Sequence, residues 1–442
     1  MSKYSYSKYG VTKTTQSEDS IKEIQRLIKN YCDNNYHFGF NKDKPKVRLH
    51  EPSFSSEEIN KALEVLLSTK VTMGEYVNLF ETSYIDLFNF KYGVTSNSGS
   101  SANLLAISSM CSPYFEKQLK PGDEVIVSAL SWSTTIWPLI QNNLIPVVVD
   151  IDPKTLNIDT NEIKRAISSK TRAVMPVHVY GNPCDMTELV KICSEHKLLL
   201  IEDCCESMGA MYDDKSVGSF GDVSTFSFYF SHHITSLEGG ITVTNSSLIA
   251  DLMKVQRSHG WTRDIDSNKY IDVDESIDSR FTFMDLGYNL RMTEVQAAIG
   301  YKQLDRLSNI VSIRRKNDQD LKKYFLKYVD YFSLQEETRD SRSSFFGFII
   351  ILKDQSKFTR EELCTFLNER NIETRPIICG NIVKQPAMNN YPYRVSGDLN
   401  HVDNVMRNGL SFGNHHYINH DSIIYIQSVF DEFFHSIGVS ID

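Results

Sequence analysis

Residues Asp222–Asn245 read DVSTFSFYFSHHITSLEGGITVTN. Thr225 to Phe230 is an aromatic run with serine at its centre and Ile241 to Thr244 is β-branched, so both are expected as strands. Between them stand two adjacent histidines, His232 and His233, followed by Glu238, Gly239 and Gly240. A plain surface hairpin could carry the same residues, and paired histidines alone assign no chemistry. The stretch holds no lysine: from Ser216 to Met253 there is none, the nearest being Lys215 and Lys254.

Upstream, strand and helix patterns alternate from Glu124: EVIVSA, a helix through Thr134 to Ile140, PVVVDI, a helix from Asn161, AVMPVHVYG, a helix from Met186, then LLLIEDCCE. Such alternation predicts a mostly parallel sheet covered by helices on both faces, with ligands beyond the carboxyl ends of its strands. Asp203 and Trp132 fall just past such ends. Asp203 follows the apolar run Leu198 to Ile201, a costly place for an unpaired charge; it caps a following helix or serves a ligand. Trp132 is either a core or interface aromatic or a stacking ring. Earlier still, a short strand around Tyr92 to Thr95 leads into Ser98, Gly99, Ser100 and Ser101 at a helix start. Small residues there let backbone N–H groups and the helix dipole meet a phosphate, although serine and glycine are also ordinary caps. Ser55 and Glu58 have capping-box spacing before the Ile59, Leu63, Leu66 stripe.

Residues 1–45 are polar and tyrosine-rich, and Ile21, Ile24, Leu27, Ile28 and Tyr31 recur at helical spacing, which predicts an N-terminal helical arm. Downstream, DLGYNLRMTEVQAAIGYKQLDRL from Asp285 predicts a helix with Met292, Val295, Ala298 and Ile299 on one face. A long helix to about Tyr324 then leads into a second lobe with the strand FFGFIIIL and the helix Arg360 to Arg370. The expected division is the arm, a large domain over 46–305 and a smaller C-terminal α/β domain over 306–442.

The central hairpin resembles that of the DegT/StrS sugar-nucleotide aminotransferases, pyridoxal-phosphate enzymes whose pattern is F-S-F-H-x-x-K-x-I-T-x-x-E-G-G. Phe226, Ser227, Phe228, Ile234, Thr235, Glu238, Gly239 and Gly240 fall on it, and His232 stands where the pattern has lysine. The resemblance covers roughly residues 46 to 430. It implies the type I fold of the pyridoxal-phosphate-dependent aspartate aminotransferases, with a large cofactor domain and a smaller C-terminal domain. It also implies a phosphate loop at Gly99, Ser100 and Ser101, Trp132 stacked on the cofactor, and Asp203 on the pyridine nitrogen. Glu206 and Ser227 would lie near the cofactor. In the stretch G-Y-N-x-R, Asn289 would reach the cofactor phosphate of a neighbouring subunit, making a homodimer with shared active sites; its bland alternative is a helix cap. Arg263, Arg375 and Asn381 are the substrate contacts it suggests. His415 and His416 lie where relatives carry a surface pair, with no ligand spacing for a metal.

An imidazole cannot form the Schiff base by which lysine anchors the cofactor aldehyde. The subset of the family with paired histidines followed by I-T removes the C3 hydroxyl of nucleotide-linked 4-keto-6-deoxy sugars. By that resemblance glutamate converts pyridoxal phosphate to pyridoxamine phosphate, the amine condenses with the sugar's C4 ketone, and His232 removes a proton from the cofactor's methylene carbon. The C3 hydroxyl then leaves, and hydrolysis releases a 3-deoxy 4-keto sugar and ammonia. Imidazole suits this role because its unperturbed pKa is about 6.5, leaving much of it a free base at neutral pH. GDP is the nucleotide the resemblance favours. The alternatives are a sugar-nucleotide aminotransferase working without its lysine, and a non-catalytic relative that binds a sugar nucleotide.

Composition narrows the rest. In 442 residues, 41% hydrophobic, there is enough apolar material for a full core in two or more lobes. The 47 basic and 56 acidic residues give a net charge of -9 with no basic run suited to nucleic acid. The eight cysteines show no C-x-x-C spacing, so reduced cytoplasmic thiols are expected. Some related dehydratases carry an iron–sulfur cluster on clustered cysteines; none falls between Cys205 and Cys364, so no cluster is expected. The opening MSKYSYSKYGVTKTT lacks the apolar core of a signal peptide, and the longest apolar run, Phe345 to Leu352, is too short to span a membrane.

Overall fold

The computed structural model describes residues 15–353 and 356–439, so the first fourteen residues of the expected arm lie outside the described part. The chain forms two compact units, one from residues 1–37, 52–118 and 227–306, the other from 38–51, 119–226 and 307–442. No described helix is long and apolar enough to cross a membrane.

In the second unit the strands Val223–Ser227, Leu199–Asp203, Thr171–Met175, Glu124–Ser128, Ile145–Val149 and Arg394–Val395 lie side by side in that order, every pair parallel. Apart from the edge pair Arg394–Val395 and the exposed Arg172 they are almost wholly buried on both faces, which is why EVIVS, IPVVV and LLIED read as continuous runs and not as alternating ones. The helices Ser133–Gln141, Thr160–Ala166 and Met186–His196 connect them as the alternation predicts, with bounds shifted by one residue at most where a start was expected. Ile126, Val147, Val174, Leu200, Leu189 and Ile192 belong to one apolar cluster beneath these helices. The same unit carries an antiparallel sheet of Phe332–Leu334, Gly347–Leu352, Gly409–Gly413 and Thr374–Arg375. Its phenylalanine-rich core includes Phe325, Phe332, Phe348, Phe412, Phe430 and Phe434. His415, expected at the surface, is 3% exposed there: its Nδ1 accepts the Tyr417 N–H and its Nε2 lies 3.2 Å from Arg48 O.

In the first unit Tyr92–Ser96 pairs antiparallel with Gly240–Thr244. Ser55 makes the expected capping box with Glu58 at the start of Ser56–Ser68, a motif worth about 1 kcal/mol. Two helical expectations change. The stretch from Asp285 forms no helix; the helix begins only at Glu294, where Thr293 and Gln296 form a capping box, and Asn289 is therefore not its cap. Gly287 lies against Gly260 so closely that a Cβ on either would overlap backbone, and this contact keeps the stretch out of a helix despite its apolar spacing. The expected long helix is two, Glu294–Leu304 and Leu307–Phe325. It breaks where Arg306 N–H turns back to Gln303 O and the Arg306 guanidinium binds Ser53 O and Ser55 Oγ. The arm helix Thr15–Asn35 forms, but Ile24, Leu27 and Tyr31 are exposed.

Candidate active site

Asp203 ends the buried strand Leu199–Asp203, so its carboxylate emerges at the carboxyl end of the parallel sheet while remaining 3% exposed. The next regular element is the strand Met211–Tyr212, so Asp203 caps no helix. Thr135 Oγ1 donates to its Oδ2 at 2.8 Å and the Cys205 N–H to its Oδ1 at 3.1 Å, fixing the plane of the carboxylate. Trp132, at the N-cap of the helix that supplies Thr135, is 57% exposed. A ring that large left in solvent past a strand end is not a core tryptophan.

Sequence reasoning passed over Glu202, which the pleat turns to the face opposite Asp203. It is fully buried and accepts from the N–H groups of Gly218, Phe220 and Gly221 at 2.8, 2.9 and 2.6 Å and from Ser224 Oγ at 3.2 Å. Its Oε2 also lies 3.2 Å from His178 Nε2, and His178 Nδ1 accepts the Cys184 N–H at 2.9 Å. Burial opposes the charge, yet the His178 and backbone donors hold the carboxyl below its usual range. Among the described residues, His178, Glu202 and Cys204 bring three possible metal-ligand atoms within 4.8 Å. Because the first two are already engaged by these donors, the cluster acts as a strut that fixes the strand end carrying Asp203. An acidic residue inside an apolar strand run was the signal for it.

Glu206 accepts the Tyr180 N–H at 3.1 Å. Tyr180 is buried with φ 55°, a left-handed conformation that costs a bulky residue about 1–2 kcal/mol. Its hydroxyl is bound by Ser411 at 2.8 Å and by Arg375 Nε at 3.1 Å, which holds it in place. Burial pushes Glu206 up to about 7; Arg375 and the Tyr180 N–H pull against this, and Asp203 adds to it. A carboxyl raised on folding from 4.5 to about 7 supports the fold fully below 4.5, and that support is lost as pH climbs to about 7. Glu206→Gln is therefore expected to stabilise cofactor-free protein more at pH 8 than at pH 5, by at most about 3 kcal/mol in unfolding free energy. An equal change at both pH values would contradict the burial of this acid.

The serine loop and the histidines lie in the first unit. Ser98 caps the helix Gly99–Met110: its Oγ accepts the Ser101 N–H at 3.0 Å and its carbonyl the Ala102 N–H at 3.0 Å. Ser227 packs directly on this end, for a Cβ added at Gly99 would lie 2.5 Å from the Ser227 Cβ. Ser98, Gly99, Ser100, Ser101 and Ser227 are thus brought together around a positive helix terminus. Beyond Ser227 the hairpin is closed by the Phe228 N–H on Gly239 O at 2.9 Å and the Ser236 N–H on Phe228 O at 3.0 Å. His232 sits in the bend between them, half-buried, its N–H on Tyr229 O at 2.9 Å and its ring edge-on to the Tyr229 ring at 5.8 Å. His233 is buried, with 1% exposed.

Asn289 is exposed, and its Oδ1 accepts from Arg291 Nε at 3.0 Å. The Asn97 N–H donates to Leu290 O at 2.8 Å, so the stretch carrying Asn289 runs beside the serine loop. Arg263 lies over the Trp261 ring, 3.6 Å from its centroid. Asn381 is 2% exposed with its amide spent on Asp403 Oδ1 and the Val383 N–H, which makes it a clamp within the second lobe and not a group offered to substrate.

A model of the DegT/DnrJ/EryC1/StrS aminotransferase family matches residues 52–431. The chain belongs to that family. It is 42% identical over 379 residues to GDP-4-keto-6-deoxy-D-mannose 3-dehydratase of Escherichia coli O55:H7, which spans 84% of this chain and 95% of that relative. The solved structure of E. coli GDP-4-keto-6-deoxy-D-mannose 3-dehydratase with bound hydrated pyridoxal phosphate superposes with a TM-score of 0.83 at 39% identity, covering 87% of this chain and 99% of that one. Another structure of a GDP-4-keto-6-deoxymannose 3-dehydratase, holding a trapped pyridoxal-phosphate–glutamate geminal diamine, gives 0.81 at 39% identity over 87% and 100% of the two chains. The fold is that of the pyridoxal-phosphate-dependent aminotransferases, as the resemblance implies. This chain carries a serine-capped helix, a strand-end aspartate and an imidazole in its central hairpin.

Proposed function

We propose that this chain is a 3-dehydratase of a GDP-linked 4-keto-6-deoxy sugar that uses a vitamin B6 cofactor without a covalent anchor. The observation that carries this reading is His232 in the family's lysine position, within a hairpin that has no lysine from Ser216 to Met253. The residues present fit pyridoxal phosphate. Asp203, buried and oriented by Thr135 and Cys205, suits a protonated pyridine nitrogen; exposed Trp132 suits a ring face; the helix end packed on Ser227 suits a phosphate. When bound, the cofactor supplies an amine that it takes from glutamate, and a ring able to hold electrons while the C3 hydroxyl departs.

The chain's own groups do the rest. Asp203 would keep the ring nitrogen charged, His232 would take the proton from the carbon next to the amine and pass it to the departing C3 hydroxyl, which leaves as water, and the Ser98–Ser101 turn with Ser227 would fix the phosphate. Asn289 is assigned to the phosphate of a second copy, which makes the working unit a homodimer. Arg263 and Arg375 are assigned to substrate, and the enzyme to the cytoplasm. Without a lysine amine to displace it, the bound sugar waits for water, and ammonia is released. Incubating the enzyme with glutamate, cofactor and GDP-4-keto-6-deoxymannose is expected to give ammonia and a 3-deoxy ketone by mass spectrometry; an amino sugar as the main product would overturn the reading.

Gly99→Ala is expected to weaken cofactor affinity about tenfold, because the methyl would force the helix end away from Ser227. Titration by the cofactor's aldehyde absorbance measures it, and unchanged affinity would remove the phosphate from this helix end.

A further inference from the structure

Asp203 ends its strand where the ladder on one side has already broken. Thr171–Met175 pairs with Leu199–Asp203 only at Ala173 and Val174, opposite Leu199 and Leu200, and Pro176 has no N–H with which to continue. Pairing resumes as an isolated bridge between Val177 and Asp203. The Asp203 N–H reaches Pro176 O at 2.9 Å, and the His178 N–H reaches Asp203 O at 3.2 Å. On that side the placement of Asp203 depends on whatever fixes residues 176–178.

The His178 side chain does so. It is fully buried, and its two nitrogens are spent in different directions. Nδ1 accepts the Cys184 N–H at 2.9 Å, which closes the turn carrying Tyr180 and leaves the ring proton on Nε2. Nε2 then donates to Glu202 Oε2 at 3.2 Å. Glu202 in turn collects the N–H groups of Gly218, Phe220 and Gly221, from the turn that leads into Val223–Ser227, the strand on the other side of Asp203. One imidazole thus ties together the segments that flank Asp203 on both sides. Asparagine could supply only its acceptor and glutamine only its donor at these positions.

We infer that His178 is a positioning residue for the reaction: through Glu202 and the Asp203 backbone it aims the Asp203 carboxylate at the ring nitrogen of the bound cofactor. This rests on the pyridoxal-phosphate reading above and extends it from Asp203 to the residue that aims it. The test loads full-length wild type, His178→Asn and His178→Gln with pyridoxal phosphate. It measures the cofactor Kd, the position of the bound aldehyde's absorbance, and the rate at which glutamate removes that absorbance, per bound cofactor. His178→Asn keeps the bond from Cys184 and loses the one to Glu202. Its glutamate-driven rate is expected to fall about 10²-fold, the cost of displacing a catalytic group by about 1 Å. The absorbance should also move, because the ring nitrogen loses its aligned counter-charge, while the Kd changes little. His178→Gln restores the donor to Glu202 and is expected to recover both the rate and the wild-type absorbance, although losing the Cys184 bond lowers its Tm. Should His178→Asn not fold, Glu202→Asp withdraws the carboxylate from Nε2 with its charge kept, and carries the same expectation. Wild-type rate and absorbance in His178→Asn or Glu202→Asp would overturn the role. So would equal losses in the asparagine and glutamine variants, which would mark His178 as packing alone. Wild-type enzyme that binds the cofactor yet does not respond to glutamate would sink the dehydratase reading; an absorbance displaced in His178→Asn and restored in His178→Gln would still support the positioning role.

Discussion

Replacing His232 with alanine is expected to lower sugar dehydration by about 10²–10⁴-fold, the range typical of a positioned general acid–base group. Cofactor affinity should change little, because the phosphate turn, Asp203 and Trp132 are untouched. The backbone supports this separation: the bend is set by the His232 N–H on Tyr229 O and by the hairpin closure at Phe228 and Gly239, none of which uses the imidazole. A lost side chain therefore leaves the loop in place. Steady-state ammonia release together with absorbance titration of the cofactor reads both effects. Near wild-type turnover in this variant would mean that another group moves the proton.

The second large effect is at Asp203. Asp203→Asn keeps the shape but removes the negative charge and sets an amide N–H₂ against one of the two donors, Thr135 Oγ1 or Cys205 N. Two penalties then coincide: a protonated ring nitrogen loses its counter-charge, and a buried donor faces another donor. Turnover is expected to fall by about 10²–10³-fold, the loss seen when one oriented electrostatic group is taken from an active site. The loss should appear in the glutamate-driven step as well as in sugar dehydration, since both need the ring to accept electrons. An effect confined to the sugar step would place Asp203 on the substrate instead.

Asp203 and Trp132 were legible in the sequence because a polar or aromatic residue directly after a short apolar strand, in a βα chain, has few places to go except the carboxyl edge of the sheet. The serine loop was legible as a helix start, and the packing of Ser227 on Gly99 confirms why glycine stands there. Glu202 and Thr135 were not legible as positioning residues, because their partners lie far along the chain: Glu202 is satisfied from residues 178 and 218–224, and Thr135 reaches across to Asp203. The helix expected from Asp285 failed for a related reason. Local apolar spacing favoured it, but the backbone contact between Gly260 and Gly287 is a long-range constraint that spacing does not report. Ile24, Leu27 and Tyr31 show the converse: their period built a helix correctly, while their burial depended on a neighbour that period cannot specify.

Borohydride treatment of the cofactor-loaded enzyme, followed by denaturation and intact mass measurement, addresses the missing anchor directly. With His232 in place of the lysine, the polypeptide mass should remain that of the bare 442-residue chain, with the cofactor recovered free in solution. A cofactor-sized adduct, mapped to any lysine side chain, would contradict it.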